Sequence, residues 1–313
     1  MMRKLERTQL HAEVASLEAI LKTLPPNDLV GRLGFEYRLE EARRKLAELA
    51  EHEEHLASIA LYFGGQPVVG SRGIQAEFGS TIIASYQDLI AKVWATLAGG
   101  NLSLRGQIRD KDAAQLHITN LVHGSFGFLL EELDQEGEPL FTSPLKEAAD
   151  RSTEYILQFA DVDEQPFARL TEEINPRVFG SIRDFFRPIY KANAVFRIVE
   201  GEVDKSFDRL AVERAYNRGE ATNIDEQDLT VEGELIGVVP YARRFEFRTY
   251  PGNELVSGKV AQSFGQSYLE RMHSEQLIGR RWQAVLRRRE TKKPGRTVES
   301  FTLVEIRELP AST

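Results

Sequence analysis

The chain has 313 residues, 42% hydrophobic and 28% charged, with a net charge of -8 and no cysteine. That length buries one large core or two smaller ones, while the missing thiols exclude disulfide staples, cysteine nucleophiles, iron–sulfur clusters and the usual structural zinc sites. No run reaches the roughly eighteen apolar residues of a membrane helix, and Glu6 arrives too early for a secretory signal, so the expectation is a cytoplasmic protein without membrane contact.

The first element is a helix. Leu10, Val14, Leu17, Leu21 and Leu24 alternate four and three residues apart, which puts them on one narrow seam. Pro25-Pro26-Asn27-Asp28 stops it, and the spacing resumes at Phe35, Leu39, Ala42, Leu46 and Leu49. Two helices joined by a short turn form a hairpin over 1–57, which serves either as an intramolecular scaffold or as a homo-oligomer contact through residues 1–56. Ser58-Ile59-Ala60-Leu61-Tyr62-Phe63 then reads as a buried strand, with turn chemistry at Gly64-Gly65-Gln66-Pro67. Ser71 is the expected N-cap of an amphipathic helix that carries Ile74, Phe78, Ile82, Tyr86, Leu89, Val93 and Leu97 and ends at Gly99-Gly100. A hairpin over 115–121 and 126–133 completes a small mixed α/β layer.

Helices are expected over 140–160 and 167–194, divided at Asn175-Pro176 and kinked or stopped at Pro188. A strand over 194–200 and a helix over 206–218 follow. The acidic run Asn223-Ile224-Asp225-Glu226-Gln227-Asp228 reads as a linker. Beyond it, 229–238 looks like a bent strand with glycines at Gly233 and Gly237. Arg244-Phe245-Glu246-Phe247-Arg248 alternates, and Pro251-Gly252-Asn253 turns into a strand over 255–260. A helix over 264–277 and strands over 281–289 and 298–309 finish the chain. Five strands with a helix between the third and fourth resemble, in element order, an OB-type barrel. The fold class is therefore α+β in three parts: a helical hairpin (1–57), an α/β domain with a helical second half (58–222) and a small five-stranded OB-like barrel (223–313).

Charge singles out one segment for function. Arg280, Arg281, Arg287, Arg288, Arg289, Lys292, Lys293 and Arg296, opposed only by Glu290, sum to +7, so the rest of the chain carries -15. Clustered cations raise local potential and release counterions from phosphates, the footprint of a nucleic-acid or acidic-protein contact. Tyr241, Tyr250 and Tyr268 offer stacking surfaces beside them. Two bland readings stand beside this one: a solvated edge that resists aggregation, or ordinary cross-strand salt bridges to Glu299, Glu305, Glu246 and Glu254.

Other patterns are thinner. Ser71, Arg72 and Gly73, after a glycine-rich turn, form a possible anion site, without the Gly-Lys-Ser/Thr of a phosphate loop. His52 and His55 flank two glutamates but lack zincin spacing. Asp161, Asp163 and Glu164, with Asp110 and Asp112, are carboxylates that could help hold a divalent metal for phosphodiester cleavage, although such clusters cap helices far more often than they bind metal. No metal site, cofactor or catalytic residue is assigned. The expectation is a non-catalytic binding and assembly protein that contacts nucleic acid or an acidic protein. The alternatives are a metal-dependent enzyme acting on nucleic acid or nucleotides, and a structural subunit of a larger complex.

Overall fold

The computed structural model describes residues 2–24, 29–50, 55–98, 106, 108, 111–122, 126–133, 141–274 and 278–309. The chain divides into two compact units, Met1–Leu170 with Arg177–Asn217, and Thr171–Pro176 with Arg218–Thr313.

In the first unit α1 (Met2–Thr23) packs on α2 (Leu29–Ala50). Leu10, Leu17, Leu39 and Ala42 are buried along the expected seam, and Glu13 and Glu18 of α1 pair with Arg38 and Arg43 of α2 at 3.4 and 2.7 Å. The turn at Pro25–Asp28 and the side chains of Leu46 and Leu49 lie outside the described residues.

The sheet of this unit is antiparallel, built from β1 (Ser58–Gly65), β4 (His117–Val122), β5 (Phe126–Glu131), β6 (Ala194–Glu200) and β7 (Val203–Phe207), in the order β4-β5-β1-β6-β7. Central β1 is buried from Ile59 through Phe63. A strand covered on both faces has no polar side to show, hence the continuous apolar run. Helices α3 (Ala76–Leu97), α4 (Pro144–Ala160), α5 (Glu164–Glu173), α6 (Pro176–Lys191) and α7 (Arg209–Ala221) accompany it. Aromatic contacts join helix to strand and strand to strand: Phe63 meets Phe78 of α3 edge-on at 5.7 Å, Phe185 of α6 meets Phe196 at 5.4 Å, and Phe196 stacks on its neighbour Phe207 of β7 at 4.3 Å.

Three expectations are corrected here. Ser71 does not cap α3, because Val68–Val69 (β2) and Gly73–Ile74 (β3) pair as a tiny hairpin and the helix starts only at Ala76, with Gln75 at its N-cap. Pro188 does not stop α6, which runs on to Lys191 before Asn193 turns left-handed at φ 49°. Part of the helix expected over 206–218 is the edge strand β7, whose Asp204 binds Arg197 of β6 through two 2.6 Å hydrogen bonds.

The second unit holds β8 (Asn223–Val239), β9 (Arg244–Tyr250), β10 (Leu255–Val260), α8 (Gln266–Ser274), β11 (Arg281–Lys293) and β12 (Arg296–Glu308). The five strands close in a ring, β10-β12-β11-β8-β9, in which β10 and β12 are parallel and every other pair is antiparallel. Phe245, Phe247, Leu235, Trp282, Leu286 and Leu303 fill its interior beside Leu269 of α8. Gly258 admits β12, since a Cβ there would lie 2.0 Å from the Phe301 carbonyl oxygen. The acidic "linker" is the start of β8: 223–228 pairs in register with 287–292 of β11, setting Glu226 opposite Arg289 and Asp228 opposite Arg287, some sixty residues away.

Candidate nucleic-acid interface

The basic segment occupies β11, the tight turn at Pro294-Gly295 and the start of β12. Trp282, Ala284 and Leu286 point into the ring and are buried. Their odd-numbered neighbours point out, and the inward/outward pattern of the strand is the expected one. What the arginines meet is mostly carboxylate. Arg287 donates two parallel hydrogen bonds to Asp228, at 2.7 and 2.9 Å. This fork holds the Asp228 carboxyl below its usual range and pushes the Arg287 guanidinium up. Arg288 binds Glu299 and is pushed up in the same way. Arg280 pairs with Glu308 at 2.8 Å, and Lys292 with Glu290 at 3.2 Å. Arg281 lies over the Tyr250 ring, 5.6 Å from its centroid.

Arg289 differs from the rest. On the outward side of β11, it is nevertheless only 8% exposed. It binds Glu226 of β8 and donates to the carbonyl oxygens of Thr171 and Ile174 at 2.9 and 2.7 Å. Burial lowers its pKa, and the Glu226 charge opposes that. The segment Thr171–Pro176, part of the second unit, is what covers it. Arg289 is thus an internal anchor rather than a surface cation.

Cations remain accessible at the hairpin tip. Lys292 is exposed despite its pair with Glu290, Lys293 is half-buried, and Arg296 is exposed with no acidic partner among the described residues.

A second surface was not anticipated as a site, although its alternation was visible in the sequence. The outward positions of β9 are Arg244, Glu246, Arg248 and Tyr250, and those of β10 are Leu255, Ser257 and Lys259. Register sets them in rungs: Val239–Arg244–Lys259, Gly237–Glu246–Ser257, and Glu234–Arg248–Leu255. A bulge leaves Ile236 unopposed beside Gly237. Across these rungs lies a cleft of about 490 Å3, reaching from Val239 and Arg244 to Ser257 and Ile278. Arg248 and Tyr250 both reach Glu234, at 3.4 and 3.3 Å, and Lys259 meets Glu173 at 3.3 Å. Arg244 has no acidic partner among the described residues. The β8–β9 turn is clamped by Arg243, which donates to the carbonyl oxygens of Ala261 and Phe264, and it presents Tyr241 at 87% exposure.

The remaining candidates disperse. Ser71 and Arg72 are exposed in the β2–β3 turn next to Gly73, and the Arg72 amide is engaged by the Val69 carbonyl, so the possible anion site sits one hairpin ahead of the helix start. Asp161 and Asp163 accept hydrogen bonds from the Asp163 and Gln165 amides, the capping role at the start of α5. His52, His123 and Asp110 lie outside the described residues, His117 is exposed on β4, and the His55 carbonyl accepts from the Ser143 amide. Among the described residues no group of three or more His, Asp or Glu is placed to hold a metal ion, and no helix is long and apolar enough to cross a membrane. Comparison with protein-family models, curated proteins and solved structures finds no match to this chain.

Proposed function

We propose that this is a non-catalytic binding protein whose C-terminal ring contacts a polyanion, nucleic acid before an acidic protein surface, through the tip of the β11–β12 hairpin. The observation that carries the reading is the tip itself: Lys292 and Arg296 are both exposed within five residues of one another, Lys292 paired with Glu290 and Arg296 with no acidic partner among the described residues. The Lys292–Glu290 pair joins an exposed lysine to a half-buried glutamate at 3.2 Å, and surface pairs of this kind contribute only about 1 kcal/mol or less, so a phosphate displaces the glutamate at small cost. The ring supports the reading through its connectivity. Its first strand pairs with the second and fourth, its third runs parallel to the fifth, and a helix joins third to fourth, an arrangement we read as OB-like. We further assign assembly to the α1–α2 hairpin, where Leu33 and Tyr37 of α2 are each 69% exposed one turn apart, and a cytoplasmic location to the chain.

The test is retention on immobilised single-stranded DNA or RNA across a salt series. Retention that falls steeply with salt, and that the paired substitutions Lys292→Glu and Arg296→Glu abolish, is the expected result. A charge-reversed tip that binds as the original chain does refutes the assignment. Binding to an acidic protein column alone moves it to the protein partner.

A further inference from the structure

We propose that the cleft across β8, β9 and β10 seats one nucleotide of a single strand, with its phosphate on Arg244, its base edge at Glu246 and Ser257, and an adjacent base stacked on Tyr241. The inference deepens the polyanion reading and rests on it. About 490 Å3 falls within the ~300–1,000 Å3 of ordinary small-molecule sites. Charge is graded along the cleft rather than uniform. Arg244 marks one end with no acidic partner among the described residues, whereas Glu246 and Ser257 share the middle rung. A carboxylate-rich peptide would be attracted at the end and repelled in the middle. A nucleotide satisfies both, because its phosphate is anionic and its base edge carries amino donors.

Further along the same face Arg248 lies four residues from Arg244, ~13 Å at strand rise, and its long, part-buried contact with Glu234, 3.4 Å, leaves the guanidinium able to turn to a following phosphate. Tyr241 supplies what a duplex cannot use: an exposed ring on a clamped turn, open to an unstacked base. The Glu246 carboxylate accepts hydrogen bonds, so it favours the amino-bearing bases cytosine, adenine and guanine over thymine and uracil, which offer it only a ring N–H.

The experiment is fluorescence anisotropy with labelled oligo-dC, oligo-dA and oligo-dT of equal length, and with a duplex, on the full chain. The expected order places dC and dA about ten-fold tighter than dT, with the duplex weakest. Arg244→Ala weakens single-strand binding about ten-fold and lowers the salt slope by about one. Tyr241→Ala costs a similar factor. Gly237→Leu fills the cleft without altering charge, and the fold admits its Cβ, whose nearest neighbour is a Glu246 carboxylate oxygen at 3.9 Å. Circular dichroism verifies that each variant is folded. Glu246→Gln, which can both donate and accept, levels dC against dT.

If the tip variants lose binding while Arg244→Ala, Tyr241→Ala and Gly237→Leu keep it unchanged, the cleft assignment is overturned and the polyanion reading stands. Equal affinity for dC and dT in the original chain overturns the role of Glu246. Competition by poly-glutamate as effective as that of the oligonucleotide overturns the nucleotide in favour of an acidic protein. No binding of any oligonucleotide overturns the cleft and the nucleic-acid reading together.

Discussion

Replacing Arg289 by alanine should damage the ring unit more than any other loss of charge in the basic segment. The side chains of Arg289 and Glu226 are only 9% and 13% exposed, so the substitution strands a carboxylate in a site it cannot leave. Removing one partner of a buried pair costs ~3–5 kcal/mol, against a total of ~5–15 kcal/mol for a typical domain. The carbonyls of Thr171 and Ile174 lose a donor as well. With a urea dependence near ~2 kcal/mol/M, the midpoint should fall by about 2 M. Trp282 is buried in this unit, and the chain has only one other tryptophan, Trp94. A Trp94→Phe background therefore lets fluorescence report the ring alone. The double substitution Arg289→Met with Glu226→Leu removes both charges and retains volume, so its penalty should shrink to the carbonyls, ~1–3 kcal/mol. A midpoint shift under ~0.5 M for Arg289→Ala, or a double variant no better than the single, would refute the buried-anchor argument.

Two other perturbations follow from the same geometry. Gly258→Ala should cost about 3 kcal/mol or more and open the β10–β12 junction, because the new Cβ meets the Phe301 carbonyl oxygen at 2.0 Å and its carbon at 2.8 Å; amide exchange of 259–260 and 302–303 reads it, and protection equal to the original rejects it. The Asp228–Arg287 fork makes stability pH-dependent. Because its hydrogen bond to Arg287 holds the folded Asp228 pKa below the unfolded value, the contribution is complete above the unfolded pKa of ~3.9 and disappears as pH falls through the lower folded pKa. Asp228→Asn should flatten that acid limb in a pH series of thermal melts, and an unchanged limb would count against the fork.

Much of the architecture was legible because it depends on local pattern. The apolar run of β1, the three-and-four spacing of α3 and the strict alternation of β9 each follow from the period at which a helix or strand returns a side chain to the same face. β7 was missed because Val203–Phe207 is short, half-polar and at an edge, and takes its strand form from Arg197 across the ladder. Residues 223–228 looked like a linker for a similar reason: one apolar residue in six, Ile224, makes no alternating pattern, and its burial, like the pairing with β11, is set by distant strands.

The candidate sites divide along the same line. The sequence by itself determined which residues carry charge, that Trp282, Ala284 and Leu286 alternate with arginines, and that Arg244 and Arg248 share a face. Tertiary structure alone decided which of those charges are spent. Asp228, Glu299 and Glu226 reach Arg287, Arg288 and Arg289 through strand register, and Thr171–Pro176 buries Arg289 from a position more than a hundred residues away. The cleft over Gly237 likewise exists only once three strands are in register and one is bulged. A cation's availability is a property of what lies within a few ångströms of it, and for Arg287 and Arg289 those neighbours are set by long-range pairing that no local window contains.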